Sequence, residues 1–206
     1  MENAPATSLS YPDHPRYAIV TGANSGIGFR AAQMLAGPPH RFRVVLACRH
    51  YERGIAAQRR ICDPEYGGDP TKSAIFMRCD LANLGSIREF VTAFRKLDDG
   101  GPRTAGLALL VCNAGVGYAR ETAPRVTANG FEEKIGVNHL GHFLLTNLLL
   151  PDLQRVKPEA VVVVVSSSLH DPKGAGGGRG RLPTLELDDL HLFGKGASAP
   201  VAAAAA

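Results

Sequence analysis

Eight residues, Thr21-Gly22-Ala23-Asn24-Ser25-Gly26-Ile27-Gly28, restrict this chain more than any other part of it. They stand between an apolar run, Tyr17 to Thr21, and a segment with helical spacing, Ser25 to Ala36. A strand that turns at once into a helix through three glycines leaves backbone amides open at the turn, with no Cβ in front of them. Such a mouth, at the positive end of a helix, suits the diphosphate bridge of a dinucleotide. Gly22, Gly26 and Gly28 supply the tight turn and the close approach, and Asn24, Ser25 and Ile27 complete the loop. A purely structural turn does not need so many glycines.

The same alternation continues downstream. Arg43 to Cys48 reads as a second strand, Ser73 to Arg78 as a third, Leu107 to Cys112 as a fourth and Ala160 to Val165 as a fifth. Between them lie helical patterns at Tyr51 to Ile61, Leu84 to Leu97 and Asn129 to Leu150, the last with Pro151 and Pro158 bracketing its exit. Unbroken Val/Ile/Leu runs mark strands buried on both faces, as in parallel sheets covered by helices. The pattern predicts an α/β fold, a Rossmann-like doubly wound parallel sheet of order 3-2-1-4-5, with a ligand crevice where the strand order reverses. Residues 1–15 read as a disordered N-terminal segment, 16–192 as an incomplete dinucleotide-binding domain, and 193–206 as a low-complexity tail ending in five alanines.

Composition narrows the function. The formal charge of +4 is scattered over short pairs such as Arg59-Arg60, and no nucleic-acid motif accompanies it. Cys48, Cys62, Cys79 and Cys112 show no Cys-x-x-Cys spacing, which suits reduced thiols in an intracellular, cytoplasmic protein. The N-terminus has no apolar signal core, and the apolar runs Phe143 to Leu150 and Ala160 to Val165 are too short to cross a bilayer.

Further candidates cluster at strand ends. Arg49 follows the second strand, where an acidic residue would bond a ribose 2′-hydroxyl and an arginine pairs with a 2′-phosphate; the expected cofactor is therefore NADP(H). Asp80-Leu81 ends the third strand. Either its carboxylate contacts the adenine amino group, with Leu81 against the ring, or the pair belongs to helix capping, with Asn83 or Asp80 capping the helix that begins near Leu84. Asn113-Ala114-Gly115 ends the fourth strand, where small residues let backbone approach the nicotinamide ribose and Asn113 pins the strand end. His139 and His142 form an i, i+3 pair without a third ligand, so they read as helix packing and no metal is expected.

In this order, Thr-Gly-x-x-x-Gly-Ile-Gly, Asp-Leu, Asn-Ala-Gly, a helical Asn and a post-strand Ser resemble the short-chain dehydrogenase/reductase family. Leu46 to Arg49, Val137 to Thr146 and Val165 to His170 resemble the branch that includes retinol dehydrogenases and protochlorophyllide reductase. The resemblance covers about residues 16 to 192. It implies hydride transfer between NADP(H) and a small-molecule carbonyl or alcohol, lipophilic in that branch. It assigns Asn138 to holding a water and Ser167, among Ser166, Ser167 and Ser168, to bonding the substrate oxygen. The family's Tyr-x-x-x-Lys finds no match: no tyrosine follows Tyr118, and His191-x-x-x-Lys195 has the spacing with the wrong first residue. The expectation is a reductase truncated before that motif, with turnover impaired or lost, its fifth strand an exposed edge, and homo-oligomers belonging to full-length relatives. The alternative is a non-catalytic dinucleotide-binding or interaction protein derived from such an enzyme.

Overall fold

The computed structural model describes residues 16–97, 106–117, 125–156 and 160–167. The segment 1–15, Ser168, the pair His191/Lys195 and the tail 193–206 lie outside the described residues.

Five parallel strands form one sheet of order β3-β2-β1-β4-β5, as the alternation predicts. They are β1 (Tyr17–Thr21), β2 (Arg43–Cys48), β3 (Ser73–Arg78), β4 (Leu107–Cys112) and β5 (Val161–Val164). Side chains alternate across the sheet. Tyr17, Ile19 and Val45 face one side, in a core with Ile87, Phe90 and Phe94 of α3 (Leu84–Arg95) and with Leu145 and Leu149 of α5 (His142–Leu153). Ala18, Val20, Val44 and Leu46 face the other, against Phe29 and Ala32 of α1 (Gly26–Ala36) and Ala57 and Ile61 of α2 (Tyr51–Cys62). Two buried faces explain why these strands read as unbroken apolar runs.

The edge strand β5 is different. It pairs with β4 through Leu109↔Val161 to Cys112↔Val164, and its valines are 40–70% exposed. Among the described residues no strand pairs with its outer edge.

The long helix departs from expectation. The spacing predicts it over 129–150, whereas α4 (Glu133–Ile135) begins four residues later and α5 ends at Leu153. Asn129 starts no helix because its side chain is used elsewhere: Oδ1 accepts the Leu84 N–H at 2.9 Å, at the head of α3. Gly130, at φ +81°, turns the chain there, and Val126 bridges antiparallel to Glu132. Between α4 and α5, Gly136–Gly141 winds as a wider π-helix. Its glycines pass close to neighbours. A Cβ on Gly136 would strike Thr127, and one on Gly141 would lie 2.6 Å from the Leu81 carbonyl. Pro151 does not end α5 but sits inside its last turns. There Arg95 of α3 donates to the Leu148 carbonyl at 2.7 Å and to the Asp152 carboxylate at 2.7 and 3.0 Å, holding the turn where proline has removed a backbone donor.

Candidate functional site

The carboxyl ends of β1 to β4 open into one cavity of about 570 Å³. This is the position that a reversal of strand order creates, since the crossovers on either side of β1 and β4 diverge there. Gly22, Asn24, Ser25, Gly26, Ile27, Gly28, Arg49, Asp80, Leu81, Asn113, Ala114 and Gly115 all line it. The structure thus brings the whole predicted binding set together from four strand ends.

The glycine loop is shaped by backbone constraints. Gly22 and Gly26 have φ of +65° and +56°, a region that disfavours other residues. A Cβ on Gly22 would sit 2.9 Å from Ala114 Cα; one on Gly28 would sit 2.6 Å from the Gly22 carbonyl and strike Asn113 Nδ2. Gly28 is therefore needed so that α1 can start against β4. At the head of α1 the Ser25 side chain makes no capping bond, and the first turn carries no acidic residue. The positive end of that helix faces the cavity without a carboxylate of its own to oppose an anion. An open amide mouth, a space where Cβ atoms are excluded and a cavity of this size fit a dinucleotide.

At the end of β2 stand Arg49 and His50, with the Arg49 guanidinium 3.3 and 3.4 Å from His50 Nε2. Arg53, one turn into α2, also lines the cavity and was not singled out by the sequence. The available signal was its place in the first turn of the helix that follows Arg49, next to the end of β2. On the neighbouring wall, Cys48 and Cys79 are buried thiols. Burial pushes Cys48 up to about 11, opposed by the Ala23 and Asn24 amides. Burial first, then the Asp80 and Cys48 charges, push Cys79 up to about 12. Both stay neutral and inert at ordinary pH.

Of the two readings of Asp80 and Asn83, the cap falls to Asn83. Its Oδ1 accepts the Gly85 and Ser86 N–H groups at 2.8 and 3.2 Å. Asp80 instead lines the cavity, with Oδ1 accepting the Ala82 N–H at 3.0 Å.

The β4 exit is held by hydrogen bonds to β1. Asn113 Nδ2 donates to the Thr21 carbonyl at 2.9 Å, and the Asn113 and Ala114 N–H groups both donate to Thr21 Oγ1 at 2.9 Å. Thr21 Oγ1 also lies 2.8 Å from Nε2 of buried His142. Asn138, inside the π-helical turn, grips the same exit: Oδ1 accepts the Val116 N–H at 2.8 Å and Nδ2 donates to the Val116 carbonyl at 3.1 Å. Neither Asn138 nor Ser167 belongs to the lining of this cavity; Ser167 is exposed three residues beyond β5. Among the described residues no group of three His, Cys, Asp or Glu side chains forms a metal site, and no helix is long and apolar enough to cross a membrane.

Comparison with known proteins places this geometry in context. Residues 16–177 match the family model described as short chain dehydrogenase. A chloroplastic protochlorophyllide reductase from Chlamydomonas reinhardtii is 42% identical over 149 residues, covering 71% of this chain and 34% of that protein. The chain thus spans about a third of the length of such curated relatives. Among solved structures, an uncharacterized protein from Mycobacterium paratuberculosis is 35% identical with a TM-score of 0.60, covering 87% of this chain and 54% of that one. A metagenomic short-chain oxidoreductase in complex with NADP is 27% identical with a TM-score of 0.56, covering 72% of this chain and 61% of that one.

Proposed function

Because this chain belongs to the short-chain dehydrogenase family, we propose that its cavity holds NADP(H) and serves hydride transfer between the nicotinamide and a lipophilic carbonyl or alcohol. One observation carries the choice of coenzyme: the β2 end presents Arg49 and Arg53 to the cavity, and among the described residues no carboxylate of that strand end lines it to bond a ribose 2′-hydroxyl. Guanidinium groups suit a phosphate by geometry as well as charge.

Residue roles follow from position. The Gly22–Gly28 loop and the head of α1 take the diphosphate. Arg49 and Arg53 take the 2′-phosphate, and Asp80 and Leu81 border the adenine. Asn113, Ala114 and Gly115 border the nicotinamide ribose. When bound, the coenzyme supplies or accepts the hydride; the carbonyl oxygen then needs a proton to become an alcohol. Ser167 is assigned to the substrate oxygen and Asn138 to fixing the wall beside it. Residues 16–192 are read as the dinucleotide-binding domain, flanked by 1–15 and 193–206. Four free cysteines support an intracellular setting.

Fluorescence titration with NADPH and NADH tests the first claim. NADPH is expected to bind more tightly, and Arg49→Ala to weaken NADPH about tenfold, near the low end for a charged hydrogen bond at an exposed site, while leaving NADH unchanged. Equal affinities in the parent chain refute the NADP(H) assignment. Carbonyl-dependent loss of NADPH, abolished by Ser167→Ala, separates turnover from binding alone.

A further inference from the structure

We propose that His142 is a positioning residue for the nicotinamide end of the cavity: as a neutral ring with its proton on Nδ1, it ties the end of β1 to the turn carrying Asn138 and so sets the Asn113–Val116 wall. The inference rests on the coenzyme reading above and deepens it.

The hydrogen bonds admit one assignment. His142 is 7% exposed and Thr21 is 1% exposed, so their polar atoms must be satisfied within the protein. Nδ1 lies 3.1 Å from the Asn138 carbonyl, which has no proton to give; Nδ1 must therefore carry the hydrogen. At Thr21, the Asn113 and Ala114 amides fill both lone pairs of Oγ1. Only the hydroxyl proton is left, with Nε2 at 2.8 Å and the Val111 carbonyl at 3.3 Å. The shorter contact is the better bond, so the hydroxyl donates to an unprotonated Nε2.

This state closes a circuit. Thr21 donates to His142, His142 donates to the Asn138 carbonyl, and the Asn138 amide grips Val116 on both its N–H and its carbonyl. Val116 follows Gly115 and Ala114, whose amide returns to Thr21. Three elements that are far apart in sequence are fixed to one another through one imidazole, and Ala114, Gly115 and Val116 all line the cavity. The wider winding of Gly136–Gly141 puts the Asn138 carbonyl and the His142 ring in this relation.

Protonation removes the arrangement. A second ring N–H would point at an oxygen that already accepts two hydrogen bonds and has no further lone pair. The titratable group that acts on the ring is His139 on the same helix; on the elements packed against that helix, the Cys112 thiol of β4 meets Thr146 and Asp80 stands next to Leu81, against which Gly141 packs. Burial first, then the charge of His139, hold the ring below the ordinary histidine range, against the opposing bond to Asn138.

The test compares NADPH with 2′-phospho-ADP-ribose, which keeps the 2′-phosphate and the diphosphate and lacks the nicotinamide ring. Both carry a 2′-phosphate that itself titrates near pH 6, so the ratio of their affinities isolates the nicotinamide end. In the parent chain that ratio is expected to hold above about pH 6.5 and to fall as pH drops below it, by at least about fivefold once the buried imidazole has taken up its proton. His142→Gln, which keeps a donor and an acceptor but cannot titrate, is expected to give a flat ratio. In His142→Phe the ratio is expected to be at least about tenfold lower at every pH, as for a lost hydrogen-bonded link, with 2′-phospho-ADP-ribose affinity unchanged. Nitrogen NMR of the coenzyme-free chain is expected to show Nδ1 protonated, with the Ala114 and Val116 amides titrating together with the ring. A parent ratio that does not change with pH, or a ring protonated on Nε2, overturns the role of His142 alone. If His142→Phe does not fold, the parent and His142→Gln still decide the matter. Absence of NADPH binding by the folded parent chain overturns the coenzyme reading and this inference with it.

Discussion

Replacing Thr21 by valine keeps shape and removes one oxygen. That oxygen accepts the Asn113 and Ala114 amides at 2.9 Å and meets His142 Nε2 at 2.8 Å, at a position only 1% exposed. The substitution strands the Ala114 amide and His142 Nε2, and leaves the Asn113 amide only its 3.1 Å bond to the Val111 carbonyl. A buried group without its partner costs about 1–3 kcal/mol. The Ala114 amide is half-buried, so the low end applies to it, and with about 2 kcal/mol for the buried His142 nitrogen the sum is about 3 kcal/mol. Against a typical domain stability of about 5–15 kcal/mol this is a large fraction. For a chain of this size it corresponds to a melting temperature lower by roughly 6–12 °C. Thr21→Ser is the control: it keeps the oxygen and loses one methyl group, about 1 kcal/mol. Urea unfolding followed by circular dichroism measures both. If Thr21→Val is no less stable than Thr21→Ser, the hydroxyl does not join β1 to β4 and the reasoning fails.

Gly28→Ala is expected to lose NADPH affinity by more than tenfold, because its Cβ lies 2.6 Å from the Gly22 carbonyl and shifts the loop. Its stability should fall by only about 1–2 kcal/mol, overpacking being partly offset by the better helix propensity of alanine; isothermal titration and urea unfolding separate the two effects. A pH series checks His142. Its folded-state pKa lies below the ordinary 6.5, so its contribution is complete above about pH 6.5 and is lost as pH falls toward the folded value. The difference in urea midpoint between the parent chain and His142→Gln should change over that window and nowhere else.

Strands were legible because burial on both faces leaves an unmistakable mark. Tyr17–Thr21, Arg43–Cys48, Ser73–Arg78 and Leu107–Cys112 stand where their apolar runs lie. The glycine loop was legible for the complementary reason that few other structures require its composition. What was hidden depends on partners distant in sequence. Asn129 looks like the start of a helix until its side chain is found on Leu84, 45 residues away. Pro151 looks like a terminator until Arg95 is seen holding the turn around it. Arg53 was obscured by lying in an ordinary charged helix face. His142 was read as packing, and it is buried; its bond to Thr21 spans 121 residues and leaves no periodic trace.

The wide turn at Gly136–Gly141 also governs phase. Each residue of a regular helix advances the chain by about 100°, so an extra residue in one turn rotates everything after it by that amount. Leu145, Leu149 and Leu153 reach the interior, and Phe143 points to solvent, only with that offset in place. Deleting one residue between 136 and 141 would leave a better-formed helix and turn its oily stripe away from the sheet. For this segment, counting matters as much as chemistry: a conservative substitution is tolerable there, whereas a single-codon insertion or deletion is not.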